Sequence, residues 1–391
     1  MVRKLKIDWL LFAAVAALTL FGLAMVYSAS IMVAIKDTKG ANQYLYATKQ
    51  FVFAIIGLGV MLAMTRFDYR LLRNRWLVWS LLMITVCMLL AVFGFGATLG
   101  ARRWMKFGGF SFQSSEIAKI TLPLFLAFFY SKVGREELMS DFQKVLLPSG
   151  FISLIIIGLV FIEPDLGTAM VLSAVFGVVY LVAGANWRHF AMAFGSAFVV
   201  GLGALILVPW RMRRIFAFLD PWADAEKDGY QLVQSLIAVG SGGTWGVGFA
   251  NSQQKIYYLP FPHSDFIFAI IAEEFGLVGT LLVLTAFGVI LWRGSRAALC
   301  APDRFGKLLG IGLLTGIIAQ AFFNMSVVIG LLPTKGIPLP FISYGGSSIV
   351  VTLAAMGLLL NISQYAGISD SDETENRDAK VRKSKLQTSW K

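Results

Sequence analysis

Long apolar stretches recur along almost the whole chain, and they restrict its fold more than any other feature. Hydrophobic residues make up 57% of the sequence and charged residues only 14%, whereas soluble domains carry about a quarter charged residues. Several stretches reach the roughly 20 residues that a helix needs to cross a bilayer. Because lipid offers no partners to open backbone groups, each stretch should be helical. The sequence therefore predicts an all-α polytopic membrane protein.

Ten transmembrane helices are predicted, and an even number places both termini on one side. Their approximate bounds are 8–29, 49–66, 77–96, 116–133, 146–162, 169–185, 188–209, 266–291, 308–331 and 347–364. Residues 1–368 are expected to form one transmembrane domain, with a large extracytoplasmic loop at about 210–265 between helices 7 and 8. Residues 369–391 are polar and mixed in charge, which is typical of a disordered tail.

The distribution of basic residues gives the orientation. Most of the 34 Lys and Arg residues lie in the segments that share a side with the two termini, so both termini and the tail are predicted to be cytoplasmic. The net charge of +12 therefore reflects topology, and no nucleic-acid partner is expected. Cys87 and Cys300 are far apart and do not suggest a disulfide framework, and two histidines argue against a zinc site.

Basic residues on the predicted outer side form two clusters, which runs against the topology rule. One cluster is Arg102, Arg103 and Lys106, and the other is Arg211, Arg213, Arg214, Lys227 and Lys255. A basic outer face favours an anionic ligand such as a phosphate. The alternative is attraction to anionic lipid headgroups.

Asp265 is the most informative single residue, because it lies where the large loop meets an apolar helix. An acid at the edge of a bilayer is costly and is usually kept for chemistry or transport. The alternative is an N-cap, for which Asp is a preferred residue. Three consecutive side chains cannot point at one another, so His263, Ser264 and Asp265 are not a hydrolytic triad. His263 alone is more often a hydrogen-bonded structural residue.

Other acids fall inside or beside predicted helices. Glu116 and Lys119 have the i, i+3 spacing that lets them pair on one helix face. They form either a neutralised pair that locks the fourth helix or a switchable pair beside a substrate groove. Glu273 and Glu274 favour polar packing between helices. The segment 163–168 is predicted to be a tight turn whose acids cap the next helix.

Six segments together resemble a known family. They are 100–104, 113–119, 163–168, 251–255, 259–268 and 340–348. The chain is similar along nearly its whole length to the SEDS proteins (shape, elongation, division and sporulation), which polymerise bacterial peptidoglycan strands and have ten helices. Residues 218–224 and 333–336 look more like the division member than the elongation member. Ser114 departs from the family, which usually has Pro there, and Ser264 replaces a usual Thr.

The resemblance implies roles for particular residues. The substrate would be lipid II, a disaccharide-pentapeptide on undecaprenyl pyrophosphate, and Asp265 would be the catalytic base. Glu116 and Lys119 match the family's conserved charged pair. The leaving pyrophosphate needs positive charge, from a bound Mg²⁺ or Mn²⁺ or from basic side chains. The basic candidates are Arg102, Arg103, Lys119 and Lys255. Ser252, Gln254 and His263 complete the candidate substrate-binding residues.

The implied function is an inverting peptidoglycan glycosyltransferase acting at the septum of the bacterial inner membrane. The implied partners are a class B penicillin-binding protein and other divisome proteins. A lipid II flippase is the main alternative, since broken helices and buried charges suit transport. However, we find no internal repeat, and the candidate residues crowd the outer face. An elongation-type polymerase and a division scaffold are further alternatives, and the scaffold leaves the outer basic clusters unexplained.

Overall fold

The computed structural model describes residues 7–96, 103–107, 110–133, 141–192, 194–195, 203, 209–256 and 258–366. Apart from three short helical turns at Tyr69–Arg73, Val92–Gly94 and Phe142–Leu146, the chain forms eleven α-helices and one two-stranded hairpin within these residues. They are α1 (Trp9–Asp37), α2 (Leu45–Arg66), α3 (Arg75–Ala91), β1 (Trp104–Phe107), β2 (Phe110–Gln113), α4 (Ser114–Val133), α5 (Leu147–Ile162), α6 (Leu166–Val182), α7 (Pro209–Leu219), α8 (Tyr230–Ser241), α9 (Ile267–Leu299), α10 (Arg304–Val328) and α11 (Gly346–Ser363).

Seven helices of the described part are long and apolar enough to cross a membrane, which confirms the predicted class. They include α1, α2, α3, α9, α10 and α11, and α5 together with the turn before it. Helix α6 is apolar but shorter, and α4 carries Glu116 and Lys119 near its start. The predicted span 188–209 and the tail 369–391 lie largely or wholly outside the described residues. The count of ten, the outer loop and the cytoplasmic termini stay predictions.

The hairpin of β1 and β2 was not predicted. Its register pairs Trp104 with Gln113, and α4 begins at the next residue, Ser114. Arg103 is therefore held beside the first turn of α4. Strands of four residues are shorter than the usual five or six, so they leave little alternating pattern in the sequence, and the expectation of helices alone was wrong at this point.

Helix α10 lies at the centre of the bundle and packs against α4, α6, α9 and α11. Residues are buried on all sides of this helix, as expected for a helix surrounded by others. Its two amides bind an irregular segment: the Gln320 side chain donates to Pro338 O at 2.8 Å, and Asn324 donates to Ile337 O at 2.7 Å. Non-helical backbone at this depth thus finds its partners within the protein.

Helix α9 is broken at Gly276, where φ is 63° and ψ is −156°. The glycine-rich segment after α8 supplies the missing backbone hydrogen bonds. Val247 N donates to Glu273 O at 3.0 Å, and Leu277 N donates to Gly243 O at 2.9 Å. The glycines at 242 and 246 thus let backbone approach backbone, and the break fixes the first half of α9, which begins just after Asp265.

Gly242→Ala should destabilise the protein, because a methyl group there would lie 1.9 Å from Ala272 O. Neither backbone can move without disturbing the broken helix, so the expected loss is about 1–3 kcal/mol. The measurement is the thermal midpoint in detergent. Gly240→Ala is the matched control, since open space surrounds that position in α8 and alanine favours a helix. Equal melting of the two variants would contradict the close approach.

Candidate functional site

Asp265 lies two residues before the start of α9. The N-cap of that helix is Phe266, and no side chain caps this end, so the alternative that Asp265 is the cap is wrong. Its backbone is held instead: the Asn324 side chain donates to Asp265 O at 2.7 Å, and Ser343 Oγ donates to Ser264 O at 2.6 Å. These bonds fix the position of the residue and leave its carboxylate available.

The carboxylate of Asp265 lies near Arg103 and a glycine. A methyl group on Gly336 would lie 2.9 Å from Asp265 Oδ2 and 3.7 Å from Arg103 Nη2. Gly336 is exposed and Asp265 is half-buried. Burial is the main reason that the pKa of Asp265 rises to about 6, while Arg103 lowers it and Asp165 raises it. A carboxyl with that pKa can serve as a base near neutral pH.

Asp165 connects the turn between α5 and α6 to the start of α4. It caps α6 by accepting a hydrogen bond from Thr168 N at 3.1 Å, which confirms the predicted capping by an acid of this turn. Its Oδ2 accepts from the Gln113 side chain at 2.7 Å and from Ser115 Oγ at 2.9 Å. The turn and the hairpin are therefore joined beside Arg103.

Glu116 and Lys119 form an ion pair, with 2.8 Å between Lys119 Nζ and Glu116 Oε1. Lys119 Nζ also donates to Gln320 Oε1 at 2.7 Å, and Gln320 in turn binds the backbone at Pro338. The pair thus links α4 through α10 to the segment that follows Gly336. These contacts are those of the neutralised-pair alternative, and contact with substrate stays a prediction.

Lys255 is 4% exposed and pairs with Glu274 at 2.8 Å between Nζ and Oε1. Its Nζ also donates to Ser28 Oγ at 2.9 Å, and Ser252 Oγ donates to Glu273. Gln254 lies in the same segment and its backbone N–H points to Glu273 at 3.4 Å. The described polar contacts of this segment therefore run to α1 and α9 instead of Asp265. The substrate-binding roles of Ser252, Gln254 and Lys255 stay predictions.

His263 is buried between two aromatic rings. Its ring centroid lies 4.8 Å from that of Tyr46 and 5.5 Å from that of Tyr344, and Tyr344 N donates to His263 O at 2.9 Å. Burial, the main cause, lowers the pKa of His263 to about 4, against a raising effect of Asp37. The ring is therefore neutral at physiological pH and packs as a structural residue; its predicted substrate contact is untested.

Of the two adjacent arginines, Arg102 lies outside the described residues and Arg103 lies at the site. Burial lowers the pKa of Arg214 on α7; the charge of Asp228 raises it, and the like charge of Arg103 lowers it further. Two cations from the predicted outer clusters thus act on each other, and Arg103 also acts on Asp265. Within the described residues, no group of three or more His, Cys, Asp or Glu side chains could hold a metal ion. The Mg²⁺ or Mn²⁺ stays a prediction.

Sequence reasoning did not assign Lys335 to the site. It directly precedes Gly336, whose missing side chain leaves room for the Asp265 carboxylate. Burial lowers the pKa of Lys335 to about 8, and its ammonium lies against Met170 of α6. The available signal was a lysine between Thr334 and Gly336, in the segment 333–336 whose sequence resembles the division member of the family.

Comparison with known proteins agrees with this architecture. The family model described as cell cycle protein, covering FtsW, RodA and SpoVE, matches residues 8–367. Stage V sporulation protein E of Bacillus subtilis is 40% identical over 370 residues, which cover 93% of this chain and 99% of that protein. A probable peptidoglycan glycosyltransferase FtsW of Geobacter metallireducens is 38% identical over 372 residues, covering 92% and 95% of the two chains.

Solved structures share the fold over nearly the whole chain. A chain from a peptidoglycan synthase complex, described for its coordination of polymerization and crosslinking, superposes with a TM-score of 0.75 and 28% identity. That match covers 92% of this chain and 98% of the other. The rod shape determining protein RodA of Thermus thermophilus gives a TM-score of 0.67 and 29% identity, covering 93% and 98%.

Proposed function

This chain belongs to the FtsW, RodA and SpoVE family of cell cycle proteins, and we propose that it is a peptidoglycan glycosyltransferase that polymerises lipid II. One observation carries the proposal: a half-buried acid, Asp265, stands beside Arg103 at an exposed glycine of a membrane protein. The names of the FtsW relatives support the activity. They also support a role in cell division, at the septum of the inner membrane.

The geometry suits a single displacement at the sugar carbon. Asp265 takes the proton from the 4-hydroxyl of the acceptor GlcNAc while that oxygen attacks C1 of the donor MurNAc. The bond from C1 to the undecaprenyl pyrophosphate breaks, and inversion turns the α-linked donor into a β-1,4 linkage. Pyrophosphate is a good leaving group, so it needs positive charge from Arg103 and Arg214 more than it needs a general acid.

A class B penicillin-binding protein is the proposed partner. The similar chain with a TM-score of 0.75 comes from a peptidoglycan synthase complex that coordinates polymerization and crosslinking. Glycan strands made by the present protein would need a transpeptidase to join them. Relatives named for sporulation and for rod shape carry the same fold. The septal role is therefore the part of the proposal that localisation of the tagged protein in dividing cells would test.

The activity is tested with the purified full chain, its cognate transpeptidase and lipid II in detergent. We expect glycan strands that lysozyme digests, with release of undecaprenyl pyrophosphate. The same protein in sealed vesicles distinguishes transport from synthesis. Lipid II that crosses the bilayer without forming polymer would replace the polymerase with a flippase.

Gly336→Ala should lower polymerisation without unfolding the protein. The added methyl group would lie 2.9 Å from Asp265 Oδ2, so the carboxylate must move by a few tenths of an ångström or more, and small misplacements cost up to about a hundredfold in rate. We expect a loss on the order of tenfold, measured from initial rates. Thr334→Ala in the same segment is the control, and equal rates for the two variants would contradict the tight contact.

A further inference from the structure

Glu163 is a buried acid that the proposed reaction does not use. It is 0% exposed, and its Oε2 accepts a hydrogen bond from Ser114 Oγ at 3.0 Å. Its Oε1 is buried without a hydrogen-bond partner among the described residues. An ionised carboxylate is costly in such a place unless it is paired, so the few groups around Glu163 decide its charge.

Arg103 connects this acid to the catalytic one. Its positive charge acts on Glu163 and on Asp265 alike, and its Nη2 lies near the Asp265 carboxylate at Gly336. Arg103 Nε is buried and has no hydrogen-bond partner within the described part of the chain. The guanidinium is therefore not fixed through that nitrogen, and each of the two carboxyl groups attracts it when ionised.

The surroundings of Glu163 favour its neutral form. Burial is the main reason that the pKa of Glu163 rises to about 8; Asp165 adds to the rise, whereas Ser114 and Arg103 oppose it. Asp165 is itself bound by Gln113 and Ser115 of the hairpin and α4. The ammonium of Lys335 lies against Met170 of α6 and is not among the charges that act on Glu163. Among these groups, Ser114 is the one that donates a hydrogen bond directly to the Glu163 carboxyl.

We propose that Ser114 and Glu163 are positioning residues for Arg103: the hydroxyl holds the carboxyl in place, and the charge of that carboxyl decides how fully the guanidinium serves Asp265 and the anionic substrate. When Glu163 is neutral, Arg103 faces the catalytic carboxylate and the pyrophosphate. When Glu163 is ionised, it competes for the same guanidinium.

The inference rests on the proposed function, and the pH profile of polymerisation tests it. The wild-type rate should fall as pH rises through about 8. Ser114→Ala removes a hydrogen bond that stabilises the anion, so the fall should move upward by about half to one pH unit. Ser114→Thr, which keeps the hydroxyl, should restore the wild-type position. Glu163→Gln cannot ionise and should abolish the fall.

A measurement that needs no activity separates this inference from the function. A carboxyl whose pKa is raised on folding, from 4.5 to about 8 here, gives stability that is complete below the unfolded pKa and is lost as pH rises to the folded one. The thermal midpoint of wild type relative to Glu163→Gln should therefore decline over that interval and then level off. In the Ser114→Ala protein this difference should level off at a higher pH, and in the Ser114→Thr protein it should level off at the wild-type pH.

Two results would overturn the proposed role of Ser114 and Glu163. A uniform drop in thermal midpoint for Ser114→Ala, with no movement of the alkaline fall or of the levelling, would make Ser114 a packing residue and overturn the proposal. A wild-type alkaline fall that survives in Glu163→Gln would overturn it as well. If wild type makes no polymer but the stability profile moves as expected, the proposed function fails and the Ser114–Glu163 coupling stands.

Discussion

Asp265→Asn should reduce the polymerisation of lipid II by about 10²–10⁴-fold, the usual contribution of a positioned general base. Asparagine has nearly the same shape but cannot accept the hydroxyl proton. The backbone bonds from Asn324 and Ser343 do not involve the carboxylate, so the variant should fold. Initial rates with purified lipid II are the measurement, together with the thermal midpoint.

Glu226→Gln is the matched control for that experiment. It removes one negative charge from an exposed position in the segment between α7 and α8, so any general effect of charge on substrate attraction appears in both variants. We expect its rate to stay within twofold of wild type, on the order of what exposed charges contribute. An Asp265→Asn protein that still polymerises at the control rate would remove Asp265 from the reaction.

The same carboxyl predicts the acid limb of the pH profile. The base works only when ionised, and burial raises its pKa to about 6. The wild-type rate should therefore rise with pH through about 6 and reach a plateau that ends at the alkaline fall expected near pH 8. Removing the opposing charge with Arg103→Met should move this limb to higher pH, since Arg103 lowers the pKa of Asp265. A limb that stays in place would show that another group limits the rate.

The sequence was sufficient for the class of protein because its signal is redundant. Each apolar stretch marks a helix independently, so α1, α9 and α10 could be predicted without knowing their neighbours. The hairpin ahead of α4 could not be predicted, because its two strands are too short to show an alternating pattern. Nor could the break at Gly276, since a glycine inside an apolar helix is common and only the approach of the 243–247 segment explains it.

Some residues of the candidate site could be predicted from the sequence, and others could not. Asp265 stood out because one acid at the end of an apolar helix is unusual in any membrane protein. Gly336 is more than 70 residues away and has no chemistry of its own, so only folding shows that its missing side chain makes room for the carboxylate. The sequence also does not show which acid a given lysine pairs with. For that reason Lys255 was expected to bind the substrate, whereas the structure pairs it with Glu274.

Breaking the Lys255–Glu274 pair should be the most destabilising change in this set. Both side chains are almost fully buried, at 4% and 0% exposure, and removing one partner leaves an uncompensated charge that costs about 3–5 kcal/mol. We therefore expect Lys255→Met to lower the thermal midpoint in detergent sharply and to reduce the yield of folded protein. Lys227→Met, at an exposed position, should have little effect on either measurement.

The double variant Lys255→Met, Glu274→Gln separates the structural role of Lys255 from substrate binding. Neutral side chains of similar length leave no buried charge, and glutamine can still accept the hydrogen bond that Ser28 Oγ donates to Glu274 Oε1 at 2.6 Å, so most of the lost stability should return. If Lys255 only holds the 251–255 segment against α9, polymerisation returns together with stability. If its cation also binds the pyrophosphate of lipid II, the double variant will fold as well as the control but will need more lipid II to reach half its maximal rate. Because the ammonium lies between Ser28 and Glu274, we expect the first outcome.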